Sequence, residues 1–140
     1  MRTYLIVLAF VLASVAVSTA REPKVLTEVR ELYAQFRDVV PDKYAVLRRQ
    51  VLLIGYLKKD KELGYNTNKG YEICLCLDGT ANQVFHVLLH ELAHSTVEEY
   101  DHNDSFWNNF KELREIATAH GLYTPIVQAE QFCGKAIKDQ

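Results

Sequence analysis

Residues 90–94 of the chain read His-Glu-Leu-Ala-His. On a helix, residues four apart share a face, so His90 and His94 can present both imidazoles to one metal ion at about 2.0–2.1 Å. Glu91 is turned from His90 by about 100°, the helical step. That direction suits a base that moves protons and not a further ligand. A zinc ion held by such imidazoles with one position open activates water. Glu91 can then take the proton and pass it to a leaving amine. The pattern on a helix signals zinc-dependent peptide hydrolysis. A plain core helix explains it poorly, because two histidines and a glutamate among Val84, Phe85, Val87, Leu88, Leu89 and Leu92 would be costly to bury without a partner.

A third ligand is needed. His102 lies eight residues after His94, past an acidic stretch and just before the next helical pattern, where a returning chain would present it to the metal. Glu112 and Glu115, 18 and 21 residues past His94, are the competing candidates. A fourth protein ligand such as Glu98, Asp101 or Glu112 would close the site and leave a zinc-stabilised binding module without catalysis. His86, one turn before His90, reads as a packed histidine outside the ligand set. Tyr100, His120 and Tyr123 are candidates to stabilise a developing oxyanion.

These residues need elements to hold them. Residues 81–96 are apolar almost all round, the mark of a helix buried mid-domain, and Thr80 or Asn82 can cap it. Asn103 or Asp104 caps a further helix carrying Phe106, Phe110, Leu113 and Ile116, which His120-Gly121 ends. Upstream, Val25, Leu26, Val29, Leu32, Tyr33 and Phe36 form an amphipathic stripe between Pro23 and Pro41. Tyr44, Leu47, Val51, Ile54 and Leu57 predict a second helix, with Lys58 to Lys61 as its solvated end. Residues 62–66 and 71–77 read as two strands joined by a hairpin turn through Thr67-Asn68-Lys69-Gly70. In the second, Tyr71, Ile73, Leu75 and Leu77 alternate with Glu72, Cys74, Cys76 and Asp78, as in a half-buried strand.

Composition bounds the remainder. With 140 residues the chain is one domain, and its formal charge of −2 without a basic cluster excludes a phosphate-backbone binder. The first twenty residues carry one charge, Arg2, and residues 4–17 are an apolar run ending in Ser18-Thr19-Ala20. Residues 1–20 read as a secretory signal cut after Ala20, or as an uncleaved anchor that would hold the protein to a membrane through residues 4–20. Either way residues 21–140 form a secreted or membrane-anchored domain outside the cytosol. Such a compartment permits disulfides, and Cys74 and Cys76, sharing a strand face, suit a common distant partner in Cys133.

Several motifs recur together: Asn68-Lys69-Gly70 with Ile73-Cys74-Leu75-Cys76-Leu77, His90 to His94, His102-Asn103-x-x-Phe106-Trp107, Gly121-Leu122-Tyr123 and Phe132-Cys133-Gly134. In this order, over residues 62–134, they resemble the WLM-type zinc metallopeptidase domains, in particular the compact versions of large DNA viruses and some protists. The resemblance implies an α+β, zincin-like domain: a short antiparallel sheet packed on an active-site helix, plus flanking helices. It places the third ligand at His102, with Phe106 and Trp107 packed behind it. It also implies an edge strand, at residues 71–77, along which an extended peptide could pair. His94 and His102 are spaced more widely than in the cellular members that act on DNA–protein crosslinks. The metal site carries over, and that role does not. The expectation is a monomeric zinc peptidase acting on protein or peptide substrates, with His90, His94 and His102 on the metal and Glu91 as general base.

Overall fold

The computed structural model describes residues 22–57, 63–67, 71–99 and 101–140. The expectations for residues 1–20, Lys58 to Lys61, the turn at Asn68 to Gly70 and Tyr100 lie outside these. Among the described residues no helix is long and apolar enough to cross a membrane.

Helix α1 (Lys24–Val39) starts after Pro23 and ends before Pro41, as its stripe predicts, and buries Leu26, Val29, Tyr33 and Phe36. Helix α2 (Ala81–His94) is the hub: it packs against α1, against α3 (Asp104–Ala119), and against strands β2 (Gly64–Thr67) and β3 (Glu72–Cys76). Phe36 of α1 meets Phe85 of α2 edge-on, with ring centroids 6.1 Å apart. An all-round apolar helix has such a place because every face needs a neighbour to cover it.

The expected second helix is not there. Residues Asp42–Arg48 form a short 3-10 helix, and Leu52–Tyr56 form strand β1. The spacing of Tyr44, Leu47, Val51 and Ile54 mimics a helical stripe, but burial follows the period of a strand. Leu53 is 2% exposed, while Leu52 and Ile54 on either side are 56% and 38% exposed. Gly55 allows the strand to fit, since a Cβ there would stand 2.2 Å from Leu77 Cδ1.

The sheet runs β1-β3-β2, with β1 parallel and β2 antiparallel to β3. It is therefore mixed, its β2–β3 pair antiparallel as expected and β1 added in parallel. Strand β3 is central, not the edge strand expected for residues 71–77. It is also buried on both faces: Ile73 and Leu75 on one, Cys74 and Cys76 on the other. The edges fall to β1 and β2.

Strands β4 (Glu130–Phe132) and β5 (Lys135–Ile137) make a C-terminal hairpin. Its two-residue turn has positive φ at Cys133 (50°) and Gly134 (79°), the geometry that matches the twist of paired strands. A disulfide joins Cys133 to Cys76, tying this hairpin to the central strand, and Cys74 stays a buried thiol.

Candidate metal centre

The start of α2 sets the phase of its histidines. The Gln83 amide donates to Thr80 Oγ1 (3.2 Å) and the Thr80 amide donates to Gln83 Oε1 (3.0 Å), a reciprocal cap that satisfies two helix-end donors. The helix then runs unbroken to His94, so the His90 and His94 rings lie one turn apart at 5.1 Å. His102 is set by the next helix. Asn103 caps α3 by accepting from the Phe106 amide (3.0 Å), and the residue before that cap is delivered back to α2. The loop's departure from α2 is tied as well, with Asn109 Nδ2 donating to Thr96 Oγ1 at 2.9 Å.

The outcome is a three-histidine cluster. One ligand atom each from His90, His94 and His102 lies within 4.8 Å of the others. His90 Nε2 and His102 Nε2 are 3.2 Å apart. Two nitrogens on a tetrahedral zinc are about 3.3 Å from each other at ordinary bond lengths, so this donor pair fits such an ion. Charge fits too. Burial, then repulsion from His94 and His102, pushes His90 down to about 3, so its imidazole is neutral and offers a lone pair. Aromatic rings of α3 back the cluster: Phe106 stacks on His94 at 4.4 Å, Trp107 lies 5.7 Å from His102 and Phe110 5.3 Å from His90.

The histidines open into a cleft of about 540 Å³, with Glu91 beside them and only 6% exposed. One wall is β2, whose residues Gly64 to Asn66 line the cleft. Gly64 lets it come close, because a Cβ there would stand 2.7 Å from Val87 Cγ1 on α2. Asn66 fastens it, its Nδ2 donating to the Glu91 carbonyl (2.9 Å) and to Ser95 Oγ (2.8 Å). Strand β5, with Lys135, and the residues after it, including Lys138, also line the cleft.

The WLM domain family model matches residues 43–137, more than half of the chain. The chain belongs to the WLM domain family. A protein of Acanthamoeba polyphaga mimivirus, R325, is 33% identical over 56% of this WLM domain chain. The chain covers 45% of that relative's length. Two solved structures are similar at 25% identity and a TM-score of 0.48 each. Saccharomyces cerevisiae Wss1 matches over 56% of this chain and 71% of its own. The zymogen of the Pyrococcus abyssi metallopeptidase abylysin matches over 65% and 86%. Family membership together with the three-histidine cluster supports a metallopeptidase-type function that uses a metal.

Other candidates in this WLM domain lie elsewhere. Glu112 accepts from Lys43 Nζ (2.7 Å) and the Tyr44 hydroxyl (2.9 Å), away from the histidines. Glu115 is exposed on α3, and His120 is exposed at the end of that helix. Among the described residues, neither Glu98 nor Asp101 joins the three histidines. Tyr123 is buried behind the cleft, where its hydroxyl donates to Asp139 Oδ1 (2.5 Å) and meets His86 Nδ1 (2.9 Å), so it does not face a reacting carbonyl. His86 itself lines the cleft and, by burial, is held below its ordinary pKa. Sequence reasoning missed Asn66 and the β5 wall. An asparagine in a short polar strand carries no local sign of the helix carbonyl it will bind.

Proposed function

We propose that this chain is a zinc-dependent peptidase in which His90, His94 and His102 hold the metal and Glu91 is the general base. The observation that carries the reading is the convergence of three imidazoles, one of them strongly held neutral, beside a buried carboxylate at the floor of a cleft. Zinc bound there supplies a Lewis acid that activates water and polarises the scissile carbonyl. The chain's own residues do the rest. Glu91 accepts a proton from the attacking water and delivers it to the departing amine. The outer edge of β2, beside the histidines, offers backbone groups to an extended peptide. The aromatic rings of α3 hold the imidazoles in place and keep water away from their rear.

The proposal includes a place of work outside the cytosol. The Cys76–Cys133 disulfide and the apolar, nearly uncharged first twenty residues support it. The test is direct. Purified protein should carry close to one zinc per chain, and Glu91→Gln should keep the zinc while losing hydrolysis of an unstructured protein substrate. Zinc-free protein from zinc-supplemented medium overturns the metal assignment. Undiminished hydrolysis by Glu91→Gln overturns the assignment of the base.

A further inference from the structure

One buried polar group in the cleft has no part in this scheme. His86 is 6% exposed, stands one turn before His90, and packs edge-on against Phe110 at 5.4 Å. Behind it runs a chain of polar contacts. Asp139 accepts from the Tyr123 hydroxyl (2.5 Å) and from the Ile126 amide (3.1 Å), and it is ion-paired with Arg114, whose Nη1 lies 3.1 Å from Oδ1. Arg114 is held in turn by the Gln140 carbonyl and lies over the Phe110 ring at 4.4 Å.

This arrangement decides which imidazole nitrogen carries the proton. A carboxylate with an arginine beside it only accepts, so the single Tyr123 proton points to Asp139. Toward His86 the phenol oxygen can then only accept. His86 Nδ1, 2.9 Å from that oxygen and 3.3 Å from Asp139 Oδ1, must be the donor. In a neutral ring the other nitrogen, Nε2, is therefore a bare lone pair. Tyr123 and Asp139 do not line the cleft and His86 does. With Nδ1 held by Tyr123 and Asp139, which stand outside the cleft, the ring edge left to meet it is the one that carries Nε2.

We infer that His86 is a substrate-binding residue, its Nε2 accepting a hydrogen bond from a backbone N–H of the peptide in the cleft. The inference rests on the peptidase reading for its substrate. An oxyanion stabiliser would need a donor here, and the Tyr123–Asp139 contact gives the cleft an acceptor instead. The role thus falls to a group that an extended peptide supplies: an amide N–H not used in pairing with β2.

Two measurements test it. In the full chain labelled with ¹⁵N-histidine, long-range nitrogen–proton correlation should show His86 as the Nδ1–H tautomer, and an Nε2–H tautomer overturns the inference. The second compares wild type with His86→Phe on a set of peptides in which each amide N–H near the cleaved bond is replaced in turn by an ester oxygen. At one position the replacement should cost wild type about tenfold in kcat/KM, mostly through KM, and should cost His86→Phe less than about twofold. His86→Gln, which keeps an acceptor, should recover part of the wild-type sensitivity. Equal losses in wild type and His86→Phe at every position overturn the inference and leave the peptidase reading standing. No hydrolysis of any peptide by the zinc-loaded wild type overturns the peptidase reading and this inference with it.

Discussion

Removing the Cys76–Cys133 disulfide should cost the domain a large share of its stability and open the cleft at one wall. The two cysteines are 57 residues apart in sequence. Cross-linking a loop of that length removes about 4 kcal/mol of conformational entropy from the unfolded chain. A domain of this size is usually stable by only about 5–15 kcal/mol, so the loss is roughly a quarter or more of the total. For a chain intermediate in length between small and large domains, it corresponds to a melting temperature lower by roughly 10–20 °C.

The structural consequence is local as well as global. Hairpin β4–β5 contains Cys133 in its turn, and β5 lines the cleft together with β2. Urea unfolding of wild type with and without a phosphine reductant, which spares bound zinc better than a dithiol, reads the cross-link alone. The Cys76→Ala/Cys133→Ala pair should match the reduced wild type and no longer respond to reductant. Peptide hydrolysis under the same conditions should show KM rising more than kcat falls, since the histidines and Glu91 sit on α2 and its following loop and not on the hairpin. A reduced protein that loses less than about 1 kcal/mol, or whose KM does not change, would refute the chain-entropy argument or the wall, respectively.

Two further outcomes are expected. Acid should weaken the metal-stripped protein: His90 is near 3 when folded against 6.5 as an ordinary imidazole, so the unfolded state binds more protons as pH falls. Stability is then lost from about pH 6.5 downward, by about 2 kcal/mol between pH 7 and pH 5 from this group, which urea midpoints of chelator-treated protein at the two values will check. Gly64→Ala should push β2 from α2, because the new methyl would stand 2.7 Å from Val87 Cγ1 and 3.0 Å from the Cys74 carbonyl. A loss of about 1–3 kcal/mol with zinc content unchanged and a higher KM is expected, and a variant as stable and active as wild type would show that the close approach is unimportant.

How far the site could be read from residues alone follows the distance between partners along the chain. Helix α2 was legible because its signals are local: a capping residue at Thr80, an apolar run, and two histidines one turn apart. His102 was legible because the residue that positions it, Asn103, is its neighbour and caps a helix in its own right. Strand β1 was not, because apolar residues at Tyr44, Leu47, Val51 and Ile54 satisfy a helical spacing by coincidence. The deciding fact, that Leu53 faces the core between exposed Leu52 and Ile54, depends on pairing with β3 some twenty residues on. The same holds for β3, whose alternating pattern describes a half-buried strand. Its second face is covered by partners that local pattern cannot name, among them a cysteine 57 residues from Cys76.

The C-terminal wall is the extreme case, and its physics explains why. Among the described residues these three-residue strands pair only with each other, and they have too little surface to stand alone. Nothing in their residues says which cleft they will line. What places them is the covalent link to Cys76 and the contacts that Asp139 gathers from Tyr123, Arg114 and Ile126. Those contacts end at His86, one turn from His90. The segment least legible in sequence is thus joined by hydrogen bonds to the most legible one, and that join is what converts a buried histidine of α2 into an acceptor facing the cleft. If the tail were merely a covering for the core, replacing Asp139 by Asn would change stability alone. Because it sets the proton on His86, the same replacement should also shift the His86 tautomer.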